Sequence, residues 1–198
     1  MSGFSRKKVR ISARRDSQHI TRRVTESHKS NYMKSWISPK TKKGLKSKIH
    51  GRGIFAIALI KKGEVVAIKK GHLLTGAQIK KLGTRHHYDL KIGDDLYIGP
   101  NCKDEFEDSM VFINHSCSPN AGFKGQQATF IAIKDIKKGE EIVLDYAMFD
   151  DDEKNIMKCN CGFSNCRKII TGKDWKNPKL QKKYKGCFSP FIQKKINK

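Results

Sequence analysis

The sequence predicts a mostly β domain, β with few short helices, carried between two basic flanks. Three observations predict it. Short apolar runs rich in β-branched residues recur through the middle of the chain, at 54–60, 64–68, 128–133 and 141–144. Glycine-bearing turns separate them, and no long helical periodicity intervenes. Charge is also partitioned: a net +23 over 198 residues resolves into +13 for residues 1–48, +1 for 49–150 and +9 for 151–198. A near-balanced middle with enough length to bury a core is flanked by polycationic segments.

The elements follow in order. Residues 1–43 carry many Arg, Lys and Ser and read as a basic arm that is largely disordered. From Gly44 the texture becomes globular, and this domain runs to 149. Lys61-Lys62-Gly63 turns between the first two apolar runs, and Thr75 caps a short helix over 75–82. Leu96-Tyr97-Ile98 is a strand ended by Gly99-Pro100. The pattern Ala56…Ile60-Lys61-Lys62-Gly63-Glu64 recurs as Ala132…Ile136-Lys137-Lys138-Gly139-Glu140. Two copies make a repeated turn chemistry and not a solenoid. Residues 155–171 hold a cysteine-rich segment. Residues 172–198 form a basic C-terminal extension in which a docked helix or loop is expected.

No apolar run approaches membrane-spanning length. The first residues lack the apolar stretch of a secretory signal, so an intracellular protein with reduced thiols is expected. Depending on the source, that means cytoplasm and nucleoid, or nucleus and chromosome. Cys159-x-Cys161-x4-Cys166 places three thiolates within eight residues, separated by small or polar residues. That spacing suits structural zinc, which wants four tetrahedral ligands. Cys117, Cys102 and Cys187 all remain open for the fourth position. A disulfide is disfavoured, because a Cys-x-Cys bridge is strained.

Four ordered motifs resemble the SET-domain family of protein-lysine methyltransferases over about residues 45–170. They are Gly51-Arg52-Gly53-Ile54, Asn114-His115-Ser116-Cys117-x-Pro119-Asn120, Asp145-Tyr146, and Cys159-x-Cys161-x4-Cys166-Arg167. The C-terminal tail resembles that of compact bacterial members. Val111, Lys168 and Lys69-Lys70-Gly71 depart from the family pattern, and the pre-SET cysteine cluster of some members is absent. The resemblance implies a fold of small sheets around a pseudoknot, closed by a post-SET zinc knuckle. It implies that Gly51, Arg52, Gly53, Ile54, Asn114, His115 and Tyr146 bind S-adenosylmethionine, and that Tyr146 is catalytic. It also supplies Cys117 as the fourth zinc ligand beside Cys159, Cys161 and Cys166. Tyr88, Tyr97 and Leu144 are candidate walls of a channel for the substrate lysine. For Leu144 the argument is that it stands two residues before Tyr146, on the same face of a strand.

Transfer of a methyl group to lysine needs a neutral amine, which costs roughly 4–5 kcal/mol at pH 7 from a reference pKa of about 10.4. The expected substrate is a basic protein, histone or histone-like. The acidic run at 150–153 is a candidate dock for it, and the basic flanks are candidate nucleic-acid contacts. The competing class is a non-catalytic, zinc-stabilised nucleic-acid-binding or chromatin-binding module. Charge and cysteines alone fit that class, but it has no use for a methyl-donor loop.

Overall fold

The computed structural model describes residues 33–83, 88–125 and 128–198. In chain order its elements are β1 (Trp36–Ile37), β2 (Thr41–Lys46), β3 (Arg52–Ala56), β4 (Val65–Ile68), β5 (His72–Leu74), α1 (Gly76–Lys81), β6 (Leu90–Gly93) and β7 (Leu96–Gly99). Then come α2 (Phe106–Ser109), β8 (Asn114–His115), β9 (Ala121–Phe123), β10 (Thr129–Ala132), β11 (Glu141–Leu144), β12 (Ile156–Lys158), β13 (Ile169–Thr171), α3 (Pro178–Lys183) and α4 (Pro190–Ile196). Single 3-10 turns lie at Lys103–Glu105, Tyr146–Met148 and Asp174–Lys176.

The strands form four small sheets, in the orders β1-β4-β10-β9, β2-β3-β11-β8, β5-β7-β6 and β12-β13. Among the described strands the pairing is antiparallel except for β8 with β11, which run parallel with Asn114 opposite Val143 and His115 opposite Leu144. The mostly β expectation holds, with helices of at most seven residues among the described residues.

The repeated turn has a structural meaning. Gly63 and Gly139 both take positive φ, +91° and +89°, where a side chain would be strained. The two copies bond each other reciprocally. Gly63 N–H donates to Ala132 O and Gly139 N–H to Ala56 O, both at 2.8 Å. Ile60 and Ile136 exchange backbone bonds at 3.0 and 2.8 Å. Two identical corners thus lock the β3–β4 and β10–β11 connections together around a local two-fold.

Helix starts follow their caps. Thr75 and Gln78 close a capping box on α1. Asn177 and Ser189 cap α3 and α4, each followed by Pro at the first helical position.

Two boundaries differ from the sequence reading. The folded body starts before residue 44, because β1 pairs with β4 (Trp36 opposite Ile68) and β2 pairs with β3 from Thr41. Those residues are too few for a pattern to be legible without their partner strands. The rest of the expected arm, residues 1–32, lies outside the described residues. The C-terminal extension docks as expected, but it is no separate segment: Leu180, Tyr184, Phe188, Phe191 and Ile192 are buried in the same core as Ile54, Val66, Phe123, Phe130, Ile142 and Leu144. Basic residues on the outer faces of α3 and α4 hide this apolar payload in the composition.

Candidate active site

The parallel β8–β11 pair sets the site. Tyr146 opens the 3-10 turn immediately after β11, and its backbone N–H donates to Nδ1 of His115 at 3.2 Å. An amide can only donate, so Nδ1 accepts and the ring proton sits on Nε2. That nitrogen lies 3.4 Å from Sγ of Cys117. Burial holds the His115 pKa down to about 4, against the opposing pull of Asp145, so the ring is neutral at pH 7. With both nitrogens engaged and 2% exposure, His115 is a spacer between the tyrosine and the cysteines and not a free base.

The Tyr146 hydroxyl donates to Ile113 O at 3.3 Å. Its pKa is pushed up to about 12, first by burial and then by the charges of Asp150 and Glu141. The ring meets His115 at 5.2 Å and Phe149 at 5.1 Å, both edge-on.

Asn114 secures the glycine loop. Its Nδ2 donates to His50 O and Arg52 O, both at 3.1 Å, and to Glu141 Oε1 at 2.8 Å. Gly51, with φ +47°, faces open space where a Cβ would stand, which is the room a ligand needs to approach backbone. At Gly53 a Cβ would collide with Oε1 of Glu141, the oxygen that Asn114 holds. Ile54 is fully buried in the core and fixes the loop's trailing strand. Arg52 is turned away toward Glu107, 2.9 Å distant, and over the Phe112 ring.

The sulfur atoms of Cys117, Cys159, Cys161 and Cys166 all lie within 4.8 Å of one another. The Cys117–Cys159 separation is 3.8 Å, the edge of a tetrahedron with metal–sulfur bonds of about 2.3 Å. Backbone N–H groups of Arg167 and Lys168 point at the sulfurs of Cys117 and Cys166, at 3.3 Å each. This donor set fits zinc. Cys102 is exposed and Cys187 half-buried, and neither joins the cluster.

A network that the sequence did not announce binds the cluster to the tyrosine. The carboxylate of Asp145, fully buried, takes both Nη1 and Nη2 of Arg167 at 2.6 and 2.7 Å. It also accepts from the Tyr184 hydroxyl at 2.9 Å and from Ala147 N at 3.1 Å. Burial alone would raise the Asp145 pKa, but Arg167 outweighs it and holds the carboxyl below its usual range. Lys183 Nζ and Tyr184 Oη reach Cys117 O at 3.1 and 3.4 Å. The extension therefore braces the cysteine cluster from behind. Asp145 and Arg167 each belong to a motif singled out in the sequence, but nothing there pairs them with each other or with Tyr184.

Leu144 is 1% exposed and lies in the main core. β11 ends at Leu144 and Tyr146 begins a helical turn, so two-residue strand alternation does not carry across the junction. Phe149 stands beside Tyr146 on the side away from β11 in sequence, three residues after it. Tyr88 stacks on Phe106 at 4.1 Å, and Tyr97 lies on β7 in the small sheet with β5 and β6. The acidic run at 150–153 is largely spent internally. Asp151 pairs with Lys91 (2.9 Å) and Lys195 (2.6 Å), and Glu153 with Lys173 (3.5 Å) and Lys176 (2.6 Å).

Comparison with known proteins agrees with this geometry. Residues 51–147 match the SET domain family model. The chain is 32% identical over 173 residues to histone-lysine N-methyltransferase trithorax of Drosophila virilis, covering 78% of this chain and 4% of that protein. It is 33% identical over 139 residues to human histone-lysine N-methyltransferase 2B, covering 63% of this chain and 5% of that protein. The chain thus spans a small fraction of these relatives' length. The structure of Arabidopsis thaliana SUVH6 in complex with SAM shares the fold, with a TM-score of 0.52 and 21% identity over 67% of this chain and 33% of that one. The chain thus carries a SET domain over residues 51–147.

Proposed function

We propose that the chain is an S-adenosylmethionine-dependent protein-lysine N-methyltransferase acting on a basic protein, histone or histone-like, and that it works where such proteins package nucleic acid. The observation that carries this reading is the Tyr146 hydroxyl. It is kept protonated, bonded to Ile113 O, and seated between the Asn114-pinned glycine loop and the cysteine cluster. S-adenosylmethionine, held by the backbone of 51–54 with Asn114 and His115, supplies the methyl group. Tyr146 orients the lysine amine with its phenol oxygen, and Phe149 beside it provides an apolar wall. Removal from water favours the neutral amine that can attack. Alignment supplies several kcal/mol more. Zinc on Cys117, Cys159, Cys161 and Cys166 holds the C-terminal segment against His115.

The relatives named above are histone-lysine methyltransferases by name, which supports a histone as first substrate. The test is titration with S-adenosylmethionine followed by a radiolabelled methyl assay on mixed histones. Donor binding with transfer to a histone lysine is expected. Tyr146→Phe is expected to keep donor affinity and to lose about 100-fold or more in turnover. Absence of donor binding would overturn the enzyme reading in favour of a binding module.

A further inference from the structure

Two adjoining cavities of about 380 and 490 Å³ share Lys124 and Gly186 and make one open groove. It runs along the α3–α4 segment against the strand β10 and the β3–β4 turn. Its rim carries Lys62, Lys124, Lys183, Lys185 and Lys194, and no acidic residue lines it. Lys183 is engaged with Cys117 O and the Tyr184 ring. The side chains of Lys62, Lys124, Lys185 and Lys194 are exposed, and among the described residues none has a carboxylate within salt-bridge distance. Acids of the C-terminal segment are engaged elsewhere: Asp151 with Lys91 and Lys195, Glu153 with Lys173 and Lys176, Asp174 with Arg167. The neighbouring Asp135 is taken by Lys61 and by the backbone N–H of Lys62.

What sets this rim apart is that several lysines share one groove whose lining holds no carboxylate. Like charges gathered without counter-charge repel, and a polyanion relieves that repulsion while releasing its own counterions. We propose that this groove binds the phosphate backbone of nucleic acid, with Lys62, Lys124, Lys185 and Lys194 as the cationic contacts. An open, elongated, lysine-lined channel suits successive phosphates along a strand. It lacks the enclosed wall and the bidentate arginines that single-phosphate or base recognition would use. The groove backs onto Lys183 and Tyr184, which hold Cys117 O, so occupancy would sit behind the zinc cluster and not in the lysine-methylation site.

The test is fluorescence anisotropy of the full chain with a short labelled duplex DNA between about 50 and 200 mM salt. Changing Lys62, Lys124, Lys185 and Lys194 to Gln together is expected to lower the slope of log affinity against log salt by about 3–4. Affinity at the higher salt should fall about tenfold or more. The same change at exposed Lys42, Lys80, Lys81 and Lys154 should alter both far less, and an equal loss there overturns the groove. Methyl transfer to a free histone peptide should be unchanged in the groove variant, so this inference and the enzyme reading fail separately. Lysine acetylation footprinting on the unmutated chain decides the matter even if the variant misfolds. Duplex DNA should protect these four lysines, and no protection overturns the proposal. Binding to phosphatidylserine vesicles with no DNA binding would assign the rim to a membrane surface and likewise overturn it.

Discussion

Around Phe123 and Ile142, both fully buried, apolar side chains from β3, β4, β9, β10, β11, α3 and α4 pack into one continuous core. Around Cys117, also buried, the apolar company is Ile170, with Met157 and Tyr146 at the margin. The β12–β13 hairpin that carries this second region exposes Ile156 (70%) and Ile169 (59%). The first region can be held by burial, at about 1.5–3 kcal/mol for each large side chain. The second has too little apolar surface to offset the entropy of ordering its chain. Four convergent thiols are the natural replacement, because metal–ligand bonds concentrate stabilisation in few residues.

Metal removal should separate the two regions most sharply. Elemental analysis is expected to find one zinc per chain, worth on the order of 10 kcal/mol to the knuckle. Chelation or Cys159→Ser should unravel β12–β13 and abolish donor binding while the far-ultraviolet circular dichroism of the main body persists. A zinc-free protein with full donor affinity would show that the knuckle needs no metal.

Asp145→Ala should weaken both regions at once. It strands Arg167 without its bidentate partner, at a cost of about 3–5 kcal/mol in urea unfolding. Zinc affinity should fall as well, since Arg167 N–H also bonds Cys117 Sγ. Ile192→Ala, by contrast, removes a fully buried side chain from the main core alone. A loss of about 2–5 kcal/mol with unchanged zinc content is expected.

The smallest effect is a response to pH that only the main body should show. Lys69, 5% exposed, donates to Tyr88 O, to Ser109 O at 2.7 Å and to Ser109 Oγ. Burial lowers its pKa to about 7, against the opposing charge of Asp89. The unfolded chain keeps that proton up to about 10.4, so between these values it binds more protons than the fold, and stability rises with pH. From pH 7 to 9 the gain should approach about 2 kcal/mol in the wild type. Lys69→Met should flatten it, measured by urea midpoints at each pH.

The local features were the readable ones. β-branched runs, the Thr75 cap, the glycine corners and the Cys159-x-Cys161-x4-Cys166 spacing each depend on residues close in the chain. The motif 114–120 was legible for the same reason, because Asn114, His115 and Cys117 lie within four consecutive residues. The Asp145–Arg167–Tyr184 network was not, since its pairings join residues up to 39 apart, and Phe149 comes beside Tyr146 only because the chain turns helically after β11. The internal pairing of Asp151 was hidden for the same reason, because its partners, Lys91 and Lys195, come from elements distant in sequence.

By itself the sequence determined the element types, the repeated corner, the cysteine spacing and the partition of charge, all of which follow from periodicity and backbone chemistry within a few residues. Only the tertiary structure decided that the two corners bond each other, that the basic extension is half core, and that four lysines share an unpaired rim. These outcomes depend on which distant surfaces meet, and the pairing of buried charges and apolar faces is settled only when the chain closes on itself.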